Sequence, residues 1–341
     1  MNRIAFPGLG LEFNVNETAF TLFGIDIQWY GIILSLGIVA AFLLFSHLAT
    51  KKEGIILDSV YNLTLIVVPI AIIGARFIYV ATNWDDYSGT GIINIINIRN
   101  GGIAIYGAIL FGLATVLIFS KICKIKSLSI LDALAPAVML GQIIGRWGNF
   151  VNAEAYGWSE GVENLLWRME LDNVRVDGQW VNVFKPHTAC VHPTFLYESL
   201  WNLIGLSIIL ILLYRKKKFD GEIFFAYMGW YGIGRAFIEM LRADSLYLVG
   251  ELKFSVFVGF VCFAVSIIGE ILLYFRHKED VIELSEYKTQ FDSLKINLEP
   301  HLSEETEDEE TALDSLDEDE DVLKEQDLLD GEIEETEEEN L

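Results

Sequence analysis

The chain is poor in cysteine, in charge imbalance over most of its length, and in leader-like features at its start. Its three cysteines, Cys123, Cys190 and Cys262, fall at a helix end, in a polar loop and in an apolar run. That scatter offers no disulfide framework and no CxxC metal site. The first residues lack a basic segment leading into an apolar core, so no cleavable signal peptide is expected. The formal net charge of −24 is misleading: residues 279–341 hold 27 Asp/Glu against 3 Lys/Arg, while residues 1–278 hold 21 of each. The acidity belongs to an appended tail. With no basic excess in the body of the chain, no nucleic-acid partner is expected.

What the chain does have is apolar length. Hydrophobic residues make up 52% of it, and several uncharged runs approach the roughly 20 residues that a bilayer demands, which excludes an ordinary soluble domain. Seven runs qualify: 28–48, 60–80 (interrupted by Pro69), 103–120, 130–145, 194–214, 223–241 and 254–275. The fourth is short, but its polar end continues the helix pattern to Phe150. Lys51-Lys52, then Lys121, Lys124 and Lys126, then Arg215 to Lys218, then Arg276 and Lys278 all follow odd-numbered runs. The intervening connections carry Asp85-Asp86, the loop 158–191, and Asp244 with Glu251. Basic residues mark the cytoplasmic side, which predicts the N-terminus outside and the C-terminus inside.

The expected fold class is therefore an all-α polytopic membrane protein with seven transmembrane helices in residues 1–278. Residues 1–27 read as an outer, partly structured lead-in. Within the outer polar loop 158–191, alternation around Asp177-Gly178 predicts a small outer-face β-hairpin. Residues 279–341, acidic and poor in aromatics, read as a disordered, solvated cytoplasmic tail.

Polar groups at membrane depth are costly unless paired, and so mark candidate function. Gly145-Arg146-Trp147-Gly148-Asn149-Phe150-Val151-Asn152-Ala153-Glu154-Ala155-Tyr156-Gly157 places such groups where an apolar run meets the outer surface. The blander reading is an arginine snorkelling to headgroups. Tyr231, Arg235 and Glu239 recur every fourth residue and make one helical stripe; an ion pair that only locks helix packing is the competing account. His192 opens His-Pro-Thr-Phe-Leu-Tyr-Glu198, where a histidine before proline is commonly a structural contact. Asp132 lies near the inner end of the fourth run, and Trp29-Tyr30 reads most simply as aromatic-belt anchoring. Arg76, Arg146, Arg235 and His192 all map to the outer half of the membrane. Planar guanidinium forks there suit a lipid phosphate. From the residues alone, the expectation is an outer-leaflet anionic-lipid site.

The residues also resemble a known family. Gly145–Gly157 is similar to the signature of the prolipoprotein diacylglyceryl transferases, bacterial membrane enzymes that begin lipoprotein maturation. Trp29-Tyr30-Gly31, Gly101 to Gly107, His192 to Glu198, and Tyr231 to Arg235 with Glu239 carry the likeness across residues 20–276. The resemblance implies transfer of the diacylglyceryl group of phosphatidylglycerol to the lipobox cysteine thiol of a prolipoprotein signal peptide. A thioether forms and glycerol phosphate leaves, at the outer face of the cell membrane. It further implies that Arg146 and Arg235 hold the phosphate, and that Asn149, Asn152, Glu154 and Gly157 position lipid or orient Arg146. Glu239 would orient Arg235, while Tyr30 and Tyr231 would line the cavity. Neither a metal nor another cofactor is implied.

Where many members carry His-Gly-Gly, this chain has Tyr106-Gly107-Ala108. A phenol, with an ordinary pKa near 10, is a poor base at neutral pH. Tyr106 would then position or hydrogen-bond, with His192 or water taking the thiol proton. Three rivals remain at this point. A transporter or flippase would share the intramembrane charges, but no repeat relates the two halves. A CDP-alcohol phosphotransferase would need an Asp-rich motif that is missing. A scaffold would recruit partners through its acidic tail.

Overall fold

The computed structural model describes residues 2–98, 101–171, 173–176, 179–182, 190–243, 247–249 and 252–278. The expected tail, the Asp177-Gly178 turn, and the loop charges Asp244 and Glu251 lie outside the described residues.

Helices dominate: α1 (Trp29–Lys51), α2 (Leu57–Thr82), the short α3 (Trp84–Tyr87) and α4 (Ile92–Ile96), α5 (Ile105–Ile122), α6 (Ser127–Val151), α7 (Thr194–Arg215), α8 (Glu222–Leu241) and α9 (Phe254–Lys278). Six of them (α1, α2, α5, α6, α7 and α9) are long and apolar enough to cross a membrane. The chain is thus a mostly helical, multi-pass membrane protein. Leu65, Ile73, Ile118 and Leu272 stand exposed along these helices, as lipid-facing side chains do. α8 forms over the expected sixth run, but Arg235 and Glu239 lower its apolarity. Pro69 and Pro136 sit inside α2 and α6 without ending either helix.

α6 is the hub. It packs against α1, α5, α7 and α8, and half of its span is buried, against 17% for α9. The main core joins Phe45 and Leu48 of α1, Val60 and Leu63 of α2, Ile130 and Met139 of α6, Ile209 of α7 and Ile223 of α8. The connections after α1, α5 and α7 meet around one cavity, so these three basic segments share one end of the bundle.

The other end carries strands. β1 (Asn2–Phe6), β2 (Leu11–Val15), β5 (Met169–Leu171) and β8 (Cys190–Val191) form an antiparallel sheet in the order β2-β1-β5-β8. β3 (Thr18–Leu22) pairs with β4 (Ile25–Gln28), β6 (Asn173–Val176) with β7 (Gln179–Asn182), and β9 (Tyr247–Val249) with β10 (Leu252–Lys253). The lead-in is thus β structure, anchored to the long loop by β1–β5 pairing. Ile4 and Phe6 pack with Ala153, Met169, Leu171, Val191 and Phe195, which seats the sheet on the ends of α6 and α7.

Candidate active site

The end of α6 determines the site's first half. The chain reverses through a Schellman turn: Glu154 N–H donates to Asn149 O at 3.0 Å and Ala153 N–H to Phe150 O at 3.1 Å. Ala153 takes the left-handed conformation (φ 49°) where glycine is usual. This fold-back lays Glu154 against α6, where its Oε1 accepts a 2.9 Å bond from Asn149 Nδ2. Asn149 Oδ1 in turn accepts from Arg146 at 3.2 Å. Residues 146, 149 and 154 thereby become one chain of contacts.

α7 and α8 supply the second half. Glu198, one turn into α7, lies 2.6 Å from Arg146 and 3.1 Å from Arg235. Arg235 also meets Glu239 at 2.7 Å, and Arg242 approaches Glu239 at 3.7 Å. The glutamate side chains are 4% and 3% exposed, whereas Arg146 and Arg235 keep 21% and 17%. Burying a carboxylate is costly unless it is paired, and each here has two guanidinium partners. The result is an alternating line: Glu154, Asn149, Arg146, Glu198, Arg235, Glu239, Arg242. It cross-links α6, α7 and α8 while leaving guanidinium edges open.

Three tyrosines surround this line. A Cβ on Gly148 would lie 2.7 Å from the Tyr30 ring, so the missing side chain admits Tyr30 of α1. Tyr30 lies within electrostatic reach of Glu154 and Arg146. Tyr231 stacks on Tyr227 at 5.9 Å and lies within reach of Glu198, Arg235, Arg146 and Tyr106. The Tyr106 hydroxyl is 3.1 Å from Ser255 Oγ, and its ring meets Phe254 edge-on. Arg146, Asn149, Glu154, Tyr30, Tyr231, Arg235, Glu239 and Tyr106 are therefore brought together.

Other expected residues are placed differently. His192 belongs to a separate group: its Nδ1 is 3.1 Å from the Tyr197 hydroxyl, which accepts from Trp167 Nε1 at 2.9 Å. Partial burial holds its imidazole below the usual histidine pKa. Gly157 is a close-approach glycine, since an added Cβ would lie 2.6 Å from both His192 Cβ and Leu241 O. Its N–H donates to His192 O at 2.9 Å, so it ties the α6 turn to the start of α7 and the end of α8. Asn152 caps α6, and its Oδ1 is buried without a hydrogen-bond partner among the described residues.

Arg76 corrects the grouping of four outer-half cations into one phosphate clamp. It is 7% exposed, and its guanidinium donates to Ile95 O, Asn94 O, Gly101 O and Gly102 O at 2.7–3.0 Å. Four carbonyls of the connection after α2 occupy it, so it staples that loop. Asp132, likewise, does not face this site: it accepts from Gly221 N–H at 2.7 Å and Phe224 N–H at 2.8 Å.

The residue that sequence reasoning missed is Glu198. It stood in the recognised His192–Glu198 stretch but received no role. An acid one turn into an apolar helix was the available signal; that it bridges two arginines from different helices was not legible.

Residues 17–272 match the family model described as prolipoprotein diacylglyceryl transferase. A phosphatidylglycerol–prolipoprotein diacylglyceryl transferase of Lysinibacillus sphaericus is 44% identical over 261 residues, covering 75% of this chain and 92% of its own. The protein of that name from Clostridioides difficile is 39% identical over 269 residues, covering 79% and 100%. The one from Enterococcus faecalis is 42% identical over 260, covering 74% and 89%. With the arginine–glutamate line inside the matched span, the chain belongs to the prolipoprotein diacylglyceryl transferase family.

Proposed function

We propose that this transferase moves the sn-1,2-diacylglyceryl group of phosphatidylglycerol to the lipobox cysteine thiol of prolipoproteins, the first step of lipoprotein maturation. The observation that carries the residue assignment is Glu198 bridging Arg146 and Arg235. Each guanidinium has five N–H donors in a rigid fork. Contacts to Glu198, Asn149 and Glu239 orient the two forks and leave further donors for a phosphate.

In the proposed reaction, cysteine sulfur attacks the glycerol carbon bonded to the phosphate oxygen. The C–S bond forms as the C–O bond breaks, and its electron pair leaves on glycerol phosphate. Arg146 and Arg235 bind that phosphate and stabilise the charge growing on the departing oxygen. Fixed donors need no reorganisation as the bond breaks. Asn149 and Glu154 hold Arg146 from one side, and Glu239 holds Arg235 from the other. Asn152 and Gly157 shape the turn beside the lipid, while Tyr30 and Tyr231 line its path. Tyr106 acts as a hydrogen-bonding group near the reacting centre. His192, whose imidazole partial burial holds below the usual histidine pKa, is the candidate acceptor of the thiol proton, directly or through water.

The topology that goes with this reading has seven spans, with α8 as the sixth, the N-terminus outside and the C-terminus inside. The protein sits in the bacterial cytoplasmic membrane with its active site toward the outer face. Basic residues in four connections support that orientation. Residues 1–278 form the catalytic domain and 279–341 a solvated cytoplasmic extension.

The test uses purified protein, labelled phosphatidylglycerol and a lipobox peptide bearing Cys or Ser. Thioether product is expected from the Cys peptide alone, and its absence sinks the reaction. Arg146→Ala and Arg235→Ala should each cost about 100-fold or more in rate, the scale of losing a preorganised charge stabiliser. Unchanged rates would remove them from the mechanism. Comparing Tyr106→Phe with His192→Ala assigns the proton: the larger loss of rate marks the group that takes it.

A further inference from the structure

At the opposite end of the bundle lies a cavity of about 640 Å³ between the connections that follow α1, α5 and α7. Its floor is fixed. Lys217 Nζ contacts both Glu53 oxygens at 2.6 Å and Asp132 at 2.9 Å. Asp132 is fully buried and also accepts the first N–H groups of α8. Lys126 meets Asp220 at 2.9 Å, and Glu222 accepts the Lys218 N–H at 2.6 Å. Glu53, Asp132, Asp220 and Glu222 are thus committed to the scaffold.

The wall is different. Lys52, Lys124 and Lys218 line the cavity, and among the described residues no carboxylate pairs with their ammonium groups. Lys52 instead lies 4.1 Å over the Tyr214 ring. The first turns of α2 and α6 also reach the wall, through Ser59 and Ser129. Neither helix has a side-chain N-cap bond, so both bring N–H groups and positive dipole ends toward the same space, that of α2 partly offset by Asp58 in its first turn and that of α6 with no acid in its first turn. Lys124 is held in the left-handed region (φ 55°), at a turn where glycine would be easier.

We infer that this cavity is a second phosphate-binding site, distinct from the Arg146–Arg235 line, taking the phosphoryl headgroup of an anionic lipid or a free phosphate. The orientation proposed above makes the lipid source the inner leaflet. The geometry of the site does not depend on that orientation or on the transfer reaction. Glu53 and Asp220 also line the volume, but they are paired with Lys217 and Lys126. Lys52, Lys124 and Lys218, without a carboxylate partner among the described residues, and the two helix N-termini add net positive potential to it, and a phosphate is the group they complement.

The test places the full-length protein in phosphatidylcholine nanodiscs with and without phosphatidic acid, an anionic lipid lacking the glycerol headgroup of the proposed donor. A parallel arm gives detergent-solubilised protein inorganic phosphate. Retained lipid is read by native mass spectrometry and stabilisation by melting temperature. Wild type and Arg146→Ala should both hold phosphatidic acid, whereas Lys124→Glu with Lys218→Glu should bind at least about tenfold more weakly while keeping transferase activity. The same contrast with inorganic phosphate but not with lipid also supports a phosphate site and names the soluble source. If neither form of phosphate separates wild type from the double variant, the inference falls. Lys124→Gly adds a second readout: melting temperature should rise without phosphate, and the increment on adding phosphate should shrink. An unchanged increment would mean that Lys124 only shapes its turn, and would remove it from the site.

Discussion

Glu198 is the residue on which both arginines depend. Replacing it with Gln preserves shape but leaves two guanidinium groups facing each other across a neutral amide. Breaking one partner out of a buried ionic set costs about 3–5 kcal/mol. Glu198→Gln should therefore lower the melting temperature in detergent and reduce transfer together, and a normal melt with full activity would show that the bridge is dispensable. Arg76 predicts the reverse split. Arg76→Met strands four carbonyls, at about 1–3 kcal/mol for each group left unsatisfied. Thermal stability should fall, while the rate per folded molecule stays near wild type; a rate loss without destabilisation would return Arg76 to the site. His192 carries a pH signature. Its folded pKa lies below the usual 6.5 because partial burial disfavours the imidazolium. The folded state then binds fewer protons than the unfolded chain as pH drops, so this contribution is present above 6.5 and is lost as pH falls through the depressed value. His192→Gln should flatten the acid-side decline in melting temperature, and parallel curves for the two proteins would show no such linkage.

Among elements, α8 has two jobs that compete. Its stripe of Tyr231, Arg235 and Glu239 faces the site, so its other face must seat closely on α9 with little apolar bulk. It does so at Gly232 and Gly259, where a Cβ on either would lie 2.6 Å from the other's carbonyl oxygen. Small residues let membrane helices approach in this way. Gly232→Val should push α8 off α9, displace Arg235, and lower both stability and transfer. If crystals or cross-linking showed an unmoved α8 with normal rates, the close approach would have no mechanistic weight. The α6 turn makes the opposite prediction. Ala155 sits at φ 58°, a left-handed conformation costing an alanine on the order of 1 kcal/mol. Ala155→Gly should therefore stabilise the protein by about that amount, raising the melt without loss of transfer.

For the whole molecule, the division between a neutral body and an acidic extension is a prediction about independence. Residues 279–341 lie wholly beyond the span matched by the family model, which ends at residue 272. Deleting them should leave transfer within about twofold of wild type, as for an acidic, aromatic-poor segment beyond the matched span. Loss of transfer with the membrane body still folded would show that the extension acts in the reaction. The body itself is organised around α6, which reaches from the lysine-lined cavity at one end to the arginine–glutamate line at the other. A perturbation such as a bulky residue at Gly148, where Tyr30 enters, should disturb the second without the first.

The sequence by itself determined the helical membrane class, most helix positions and the two polar clusters. Each is a local property: apolar length, basic flanks, and an every-fourth-residue stripe of Tyr231, Arg235 and Glu239. It also carried the family likeness, because the motifs are contiguous. Only the tertiary structure decided which charges meet. Arg76, Arg146, Arg235 and His192 look equivalent along the chain, yet one is spent on loop carbonyls, one sits with Tyr197, and two converge on Glu198. Pairing between residues 37 or more positions apart depends on how α6, α7 and α8 pack, and no short-range pattern encodes that packing. Within residues 2–28 the β1–β2 and β3–β4 pairings are local, but their anchoring was hidden for the same reason, since β1 finds β5 more than 160 residues away.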